Sequence, residues 1–210
     1  MSEAARKRAV EALGGTPPDV SRPPTSPVRQ VLPAAVSRRV GDFDRALEAT
    51  SSRLRGRPVA DRIFYSASAL GDFSLVWHLV ATGRALRSER DEREAVRLVT
   101  ALAVESVVVN GLVKSLFRRE RPSVEDPRPH RLRRPRSSSF PSGHATSAFM
   151  AATILSEGGR RRSAPAWYAL AAVVAASRVH VRIHHGSDVA AGAVIGIGIG
   201  QLVRRLWPLR

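Results

Sequence analysis

The sequence predicts an all-α fold, a membrane-embedded bundle of about five to six helices. The apolar stretches after residue 60 are rich in alanine and leucine, and all five exceed the roughly eight residues that limit a buried strand. Two of them are long enough to cross a bilayer, which requires about 20 predominantly apolar residues. The stretches are 63–82, 95–117, 145–155, 164–181 and 189–203, and the two long ones are the second and the fourth.

A soluble helical bundle is the alternative to a membrane protein. Arg97, Glu105 and Glu157 lie in or beside the apolar stretches, and the mean hydropathy of the chain is -0.14. Charged side chains are costly in a bilayer and rare in its spans. The N-terminal segment and the arginine-rich loops lower the average hydropathy, however, so we expect the helices to lie in a membrane.

The chain divides into an N-terminal tail and one helical domain. Residues 1–38 combine six prolines with Ser, Thr and Arg, a composition that buries too little apolar surface to fold, so we predict a disordered tail. Residues 39–210 form the single domain, which begins with a short amphipathic helix over 41–57 on the membrane surface. The first 20 residues lack the apolar stretch of a secretory signal.

The chain is strongly basic and contains no cysteine. Its formal net charge is +16, from 34 basic and 18 acidic residues, and arginine supplies nearly all of the positive charge. Such a charge suits nucleic acid, an anionic membrane surface or a phosphorylated substrate, and charge alone does not choose among them. The absence of cysteine excludes thiol catalysis, Cys-ligated zinc and disulfides.

The last apolar stretch carries a row of glycines. Gly192, Gly196 and Gly200 lie four residues apart and therefore on one helix face, and Asp188 lies one turn before them. Small residues on one face allow a second helix backbone to approach closely. We therefore expect tight helix packing along this face.

A first cluster of polar residues lies at the end of the second apolar stretch. Lys114 and Arg121 are seven residues apart, so they return to nearly the same helix face before Pro122 ends the helix. A basic run at a helix end is also typical of solvated or lipid-contacting residues. Alone, this cluster does not define a site.

A second cluster, PSGH at 141–144, stands directly before the third apolar stretch. Ser139 or Ser142 can cap the helix that follows, and Gly143 allows a ligand to approach the backbone. The free N–H groups in the first turn of a helix favour an anion. The pattern predicts a phosphate site beside His144, with ordinary helix capping as the alternative.

A third cluster links the fourth and fifth stretches and contains Arg178, His184 and Asp188. A carboxylate four residues after a histidine can hold one imidazole nitrogen and leave the other free to attack or to abstract a proton. A metal site made by His180, His184 and Asp188 on one helix face is an alternative. The neighbouring cations disfavour that alternative.

Helices that alternate in direction would bring the three clusters to one side of the bundle. The combined site would contain three cations, the N-terminus of a helix and two histidines. Such an arrangement is suited to binding and transferring a phosphoryl group.

In this order, K-x6-RP, PSGH and SR-x5-H-x3-D resemble the three signature motifs of the type 2 phosphatidic acid phosphatase superfamily. The resemblance covers about residues 61–203, and all motif positions match. It implies an acid phosphatase/haloperoxidase-like helical fold, similar to compact actinobacterial members that act on lipid phosphates. Arg182 and the pair His185–Gly186 stand where the resemblance suggests a glycine and a tyrosine–proline pair.

The resemblance implies a role for each site residue. His184 would attack phosphorus to form a phosphohistidine, and Asp188 would hold and polarise it. His144 would protonate the leaving oxygen and then activate water. No metal or other cofactor is required. The phosphate-binding residues would be Lys114, Arg121, Ser142, Gly143 and Arg178.

The expected partners are a lipid phosphate substrate and the bilayer. The substrate would be a monoester or diphosphate, namely phosphatidic acid, phosphatidylglycerol phosphate or a polyprenyl-linked phosphate. The resemblance also implies a multi-pass protein of the cell membrane with its active site on the extracytoplasmic face.

Two other functions fit parts of the sequence. An arginine-rich protein that binds anionic lipid or nucleic acid without catalysis would explain the isoelectric point of about 11.7 and the basic run at 128–136. The chain lacks aromatic stacking platforms and any nucleic-acid module, so no nucleic acid is expected. A vanadate-dependent haloperoxidase shares the superfamily's site but is usually larger and soluble, unlike these apolar stretches.

Overall fold

Every regular element in the described part of the chain is a helix, as the all-α prediction requires. The computed structural model describes residues 33–123, 137–157 and 163–209. A 3-10 turn at Asp72–Ser74 separates the second helix from the third, and a π-helical segment, Ser106–Val113, continues the fourth. The helices are α1 (Ala34–Ser52), α2 (Pro58–Gly71), α3 (Leu75–Ala85), α4 (Glu89–Glu105), α5 (Gly143–Leu155), α6 (Ala164–His180) and α7 (Gly186–Leu206).

Three helical segments within the described residues are long and apolar enough to cross a membrane. They are Pro58–Ala85, Glu89–Val113 and Gly186–Leu206. Helix α6, which we expected to be long enough to span, has 17 residues and is about 25 Å long at 1.5 Å per residue. Helix α6 ends one residue before the end of the predicted stretch at 164–181, and it is not among the three candidate spans.

Helix α5 lies at the centre of the bundle and packs against α6 and α7. Ten of its 13 residues are buried, and they are small or apolar on every side. A helix that is enclosed all round needs no polar face. Met150 and Ile154 of α5 join Trp77 of α3 and Leu98 of α4 in the hydrophobic core.

The glycine row of α7 faces α5, which confirms the predicted close packing. A Cβ atom added to Gly196 would lie 2.2 Å from the backbone oxygen of Thr146, and one added to Gly192 would lie 2.6 Å from the backbone oxygen of Ser142. Neither backbone can move without displacing α5. The contact fixes the start of α5 against the start of α7.

Two buried arginines, Arg84 and Arg97, form ion pairs at the end of the bundle opposite the predicted site. Arg97 is fully buried and forms an ion pair with Glu157, beyond the end of α5. Arg84 pairs with Asp91, at 3.1 Å, and with Glu94. A buried charge is tolerated when it is paired and hydrogen-bonded. These residues are therefore compatible with a helical bundle in a membrane.

The first helix differs in its bounds from the predicted amphipathic segment 41–57. It begins at Ala34, after Pro33 at the N-cap position, and ends at Ser52. Its start lies inside the segment 1–38 that we predicted to be disordered, while residues 1–32 lie outside the described residues. None of its residues is buried, and it lies across α6 and α7 as a surface helix.

The first apolar stretch, 63–82, is two helices rather than one. The break falls at Asp72–Ser74, where Phe73 and Ser74 have φ angles of 52° and 58°. Non-glycine residues rarely adopt this left-handed conformation. The break places Asp72 at the end of the bundle where the three clusters meet.

Candidate active site

The three predicted clusters meet at one end of the bundle. The first and third clusters are in contact, since Nη1 of Arg121 lies 3.3 Å from Nε2 of His184. The second cluster joins them through its backbone, since the N–H of Ser142 donates to the carbonyl of Asp188 at 3.0 Å. The alternating helix directions expected from the sequence therefore produce one site.

His184 lies in the short loop between α6 and α7. Its backbone N–H donates to the carbonyl of Arg178 at 3.1 Å, which folds the loop back onto the end of α6. Arg182, at the turn of this loop, has a φ of 54°, the left-handed conformation that glycine adopts most readily. The residue type differs from the glycine that the resemblance suggested, but the backbone adopts the conformation that glycine favours.

Asp188 lies behind His184 and is fully buried. Its Oδ2 is 3.6 Å from Nδ1 of His184, longer than a hydrogen bond. The same oxygen accepts from Oγ of Ser139 at 2.5 Å and from the backbone N–H of His185 at 2.8 Å. Oδ1 accepts from Nη1 of Arg119 at 2.6 Å. Asp188 is thus held by a set of donors that turns it towards His184.

Burial determines the protonation state of His184. The side chain is 3% exposed, and burial lowers its pKa to about 3. The nearby Arg178 and Arg121 cations also lower this pKa, while Asp188 opposes them. The imidazole is therefore neutral at pH 7. Because the guanidinium of Arg121 can only donate, Nε2 facing it carries a lone pair.

His144 lies in the first turn of α5 and pairs with a residue that the sequence motifs do not include. Its Nε2 is 2.9 Å from Oδ1 of Asp72, at the break between α2 and α3. A carboxylate only accepts, so Nε2 carries the proton of this hydrogen bond. Asp72 favours the imidazolium form, but burial and the Arg178 cation outweigh it and lower the pKa of His144 to about 4, so this imidazole is neutral in the free enzyme at pH 7.

Three cations surround the two histidines. Arg178 is 1% exposed and donates to Oγ of Ser68. Lys114 is 8% exposed and lies close enough to Arg121 and Arg178 for their charges to repel. Cations that are held together in this way suit the charged oxygens of a phosphate group.

Ser142 and Gly143 serve the start of α5. Oγ of Ser142 accepts from the backbone N–H of Ala145 at 3.5 Å, as a weak N-cap. Gly143 allows close packing, because a Cβ there would lie 2.7 Å from Oδ1 of Asn110. Ser142 therefore caps α5 as predicted, and Gly143 makes room for Asn110 of the π-helical segment.

The alternative metal site does not form. Helix α6 ends at His180, so His180 is not on one helix face with His184 and Asp188. Nε2 of His180 instead lies 2.8 Å from Oδ1 of Asp61 in α2. Among the described residues, no group of three His, Cys, Asp or Glu side chains has the geometry to hold a metal ion.

Several residues of the site were missed by reasoning from the sequence. Ser139 is predicted from the sequence only as a possible helix cap, whereas its Oγ donates a hydrogen bond to Oδ2 of Asp188. Arg119, Asp72 and Asp44 lie outside the spacing of the three motifs, and Asp44 is 75 positions before Arg119. A pattern of helical spacing finds residues on one helix, so it could not have found partners that tertiary packing brings together.

The fold and this site are those of a class of protein, the membrane phosphatases that are built as helical bundles. The chain belongs to the PAP2 superfamily, because the model of that family matches residues 94–210. It is a membrane protein and a hydrolase of phosphoric ester bonds. The alternative of a binding protein without catalysis is not supported.

Two curated relatives indicate a more particular likeness. The chain is 32% identical over 161 residues to decaprenylphosphoryl-5-phosphoribose phosphatase of Mycobacterium tuberculosis strain H37Rv, covering 74% of this chain and 85% of the relative. It is 34% identical over 151 residues to the phosphatase of the same name from Mycolicibacterium smegmatis, covering 71% and 80%.

Two solved structures share the fold. A transmembrane PAP2 type phosphatidylglycerolphosphate phosphatase from Bacillus subtilis has a TM-score of 0.63 and 21% identity, and the match covers 84% of this chain and 88% of that one. LpxE from Aquifex aeolicus has a TM-score of 0.59 and 25% identity, with 78% and 93% covered.

Proposed function

We propose that this chain removes phosphate from a polyprenyl-linked sugar phosphate through a phosphohistidine on His184, without a metal ion. The observation that carries the mechanism is the state of His184, which is buried and neutral and lies between Arg121 and Asp188. The names of the mycobacterial relatives support this substrate class. Phosphatidic acid and phosphatidylglycerol phosphate are the other candidate substrates.

The first step transfers the phosphoryl group to the enzyme. The lone pair on Nε2 of His184 attacks phosphorus, and a P–N bond forms as the bond from phosphorus to the sugar oxygen breaks. His144, which the anionic substrate and Asp72 together favour in its protonated form, gives a proton to the leaving oxygen. Lys114, Arg121 and Arg178 stabilise the charge on the non-bridging oxygens.

The second step releases inorganic phosphate. His144 is now neutral and takes a proton from a water molecule as that water attacks phosphorus. The P–N bond breaks, and its electron pair returns to Nε2 of His184. Throughout both steps, Asp188 stabilises the positive charge that develops on the His184 ring.

A phosphate-release assay of the full chain in detergent tests this proposal. The substrates are a polyprenyl-linked ribose phosphate, phosphatidic acid and phosphatidylglycerol phosphate, each measured with and without a chelator. We expect the highest kcat/KM for the prenyl-linked sugar phosphate and no loss of activity with the chelator. His184→Ala should reduce the rate at least about 1,000-fold, because it removes the nucleophile.

His78→Ala is the matched control, since His78 lies on α3 outside the site. Wild-type activity in the His184→Ala variant would refute the assignment of the nucleophile. Activity that disappears with the chelator and returns with added metal would refute the metal-free scheme.

A further inference from the structure

We infer that Arg119, fixed by Asp44 of the surface helix α1, is a positioning residue for the reaction because it holds Asp188 behind the nucleophile. The inference rests on the proposed function, in which Asp188 assists His184. The family model matches residues 94–210, so α1 lies before the matched region. The clamp formed by Asp44, Arg119, Ser187 and Asp188 joins this helix to Asp188, the proposed partner of His184.

The guanidinium of Arg119 is committed to the clamp on both of its terminal nitrogens. Nη1 donates to Oδ1 of Asp188 at 2.6 Å and to Oγ of Ser187 at 2.7 Å. Nη2 donates to Oδ2 of Asp44 at 2.6 Å. Arg119 therefore bridges two carboxylates, one on α1 and one on α7. A planar fork with several donors can do this, whereas the point charge of a lysine cannot.

Asp44 also binds the start of α7 directly. Its Oδ1 accepts from the backbone N–H of Ser187 at 2.7 Å, and its Oδ2 accepts from Oγ of Ser187 at 3.0 Å. The first N–H groups of a helix have no partner within the helix, and a carboxylate there is stabilising. Asp44 of α1 thus caps the N-terminus of α7 at Ser187, the residue before Asp188.

Asp44 in the middle of α1 and Arg55 beyond its end bracket the loop that carries His184. Beyond the end of α1, Arg55 donates from Nε to the carbonyl of His180 at 2.7 Å and from Nη2 to the carbonyl of Val179 at 2.9 Å. Between these anchors, Leu47 packs closely on Gly186. A Cβ atom added to Gly186 would lie 2.5 Å from Cδ1 of Leu47. Helix α1 is thus a brace over the catalytic loop, fastened to the end of α6 and the start of α7.

The clamp matters for the reaction because it helps to set the position of the Asp188 carboxylate relative to His184. Its Oδ2 is 3.6 Å from Nδ1 of His184 and is shared with Ser139 and the His185 N–H, while Arg119 holds Oδ1. Loss of the Arg119 bond would leave the carboxylate held through Oδ2 alone, by Ser139 and the His185 N–H, and would let it turn relative to the His184 ring. A misplacement of about 1 Å in a catalytic group can cost about 100-fold in rate.

The test compares Arg119→Gln, Arg119→Lys and Asp44→Asn with Arg118→Gln, an exposed neighbour that serves as the matched control. We expect Arg119→Gln to lower kcat about 100-fold with KM within about twofold, since Arg119 contacts Asp188 rather than the phosphate. The kcat of Arg119→Lys should stay as low as that of Arg119→Gln, and Asp44→Asn should lower kcat less than Arg119→Gln does. Arg118→Gln should match the wild type.

Hydrogen exchange of the 181–190 region in the same full-length variants gives a readout that does not depend on activity. The clamp predicts faster exchange at the N–H groups of His185 and Ser187 in Arg119→Gln and Asp44→Asn. Unchanged exchange, or a raised KM with unchanged kcat, would overturn the inference. A wild-type protein that is inactive on every lipid phosphate would instead refute the proposed function, while exchange would still test the clamp.

Discussion

Asp72 and His144 form a pair that no motif in the sequence contains. The carboxylate lies at the break between α2 and α3, 2.9 Å from Nε2 of His144, and is 4.0 Å from Nη1 of Arg178. The cation favours neutral His144, whereas the carboxylate favours its protonated form. Burial and Arg178 prevail in the free enzyme and lower the pKa of His144 to about 4, so Asp72 is the group that would favour the proton on His144 during the proposed reaction.

Substitution of Asp72 by asparagine should impair acid catalysis selectively. The amide would keep a similar shape but lose the charge that stabilises the imidazolium, so we expect about a 100-fold loss on lipid phosphates, whose alkoxide is a poor leaving group. An activated aryl phosphate needs little protonation, so its hydrolysis should stay within a few-fold of the wild type. The ratio of the two kcat/KM values is the measurement.

The same assay on His144→Ala provides the comparison for this prediction. The two variants should share the dependence on leaving group, with the larger loss in His144→Ala. Equal losses on both substrates in Asp72→Asn would contradict a role in proton transfer and indicate a structural one.

At the residue scale, the sequence allowed the motif positions to be predicted but not their partners. Helical spacing and order along the chain identified His184, Asp188 and Arg121, which the fold brings together. Asp72 was not predictable, because the turn that presents it has two non-glycine residues in a left-handed conformation, and their types do not signal a break. Arg119 was hidden in a run of arginines of similar appearance.

At the scale of elements, the contact between α5 and α7 determines the geometry of the site. The N-terminus of α5 carries Ser142 and His144, and the N-terminus of α7 carries Asp188. The glycine face of α7 brings the two backbones into direct contact over several turns. The close packing of this face was predictable from the four-residue spacing of the glycines. The identity of the partner helix was not predictable, because the side chains on every face of α5 are apolar or small.

Gly196→Ala should destabilise the protein, whereas Gly198→Ala should not. A Cβ at Gly196 would lie 2.2 Å from the Thr146 carbonyl, while one at Gly198 has no atom within 4 Å. Overpacking of this kind costs about 1–3 kcal/mol. Thermal unfolding in detergent should therefore show a lower Tm for Gly196→Ala and an unchanged or slightly higher Tm for Gly198→Ala, because alanine favours helix. Equal Tm values for the two variants would contradict the packing.

At the scale of the whole molecule, charge is divided between two ends of the bundle. The end with the site contains the cations that we propose bind phosphate, and the opposite end contains the ion pairs of Arg84 and Arg97 together with Arg204 and Arg205. The basic run at 128–136, which suggested nucleic-acid binding, lies outside the described residues. In the proposed function the site's cations bind substrate, which leaves the basic residues of the opposite end as the ones that the positive-inside rule would place on the cytoplasmic side.

We propose that the chain crosses the membrane several times with the site on the extracytoplasmic face, and cysteine labelling tests this topology. The chain has no cysteine, so single substitutions need no altered background. Ser137, whose carbonyl accepts from Nη2 of Arg121 at 3.2 Å, lies beside the site, and Ser88, the N-cap residue of α4, lies at the opposite end. An impermeant maleimide should label Ser137→Cys in intact cells and Ser88→Cys only after permeabilisation. The reverse pattern would show the opposite orientation.

The most direct test of the mechanism is mass spectrometry of the phosphoenzyme. Full-length protein is mixed with a lipid phosphate, quenched in alkali, where phosphohistidine survives, and digested. We predict one phosphorylated peptide, with the phosphate on His184, and a larger amount in His144→Ala on an aryl phosphate, because His144 activates the water that cleaves the P–N bond. Active enzyme with no phosphohistidine under these conditions, or with phosphate on another residue, would contradict His184 as the nucleophile.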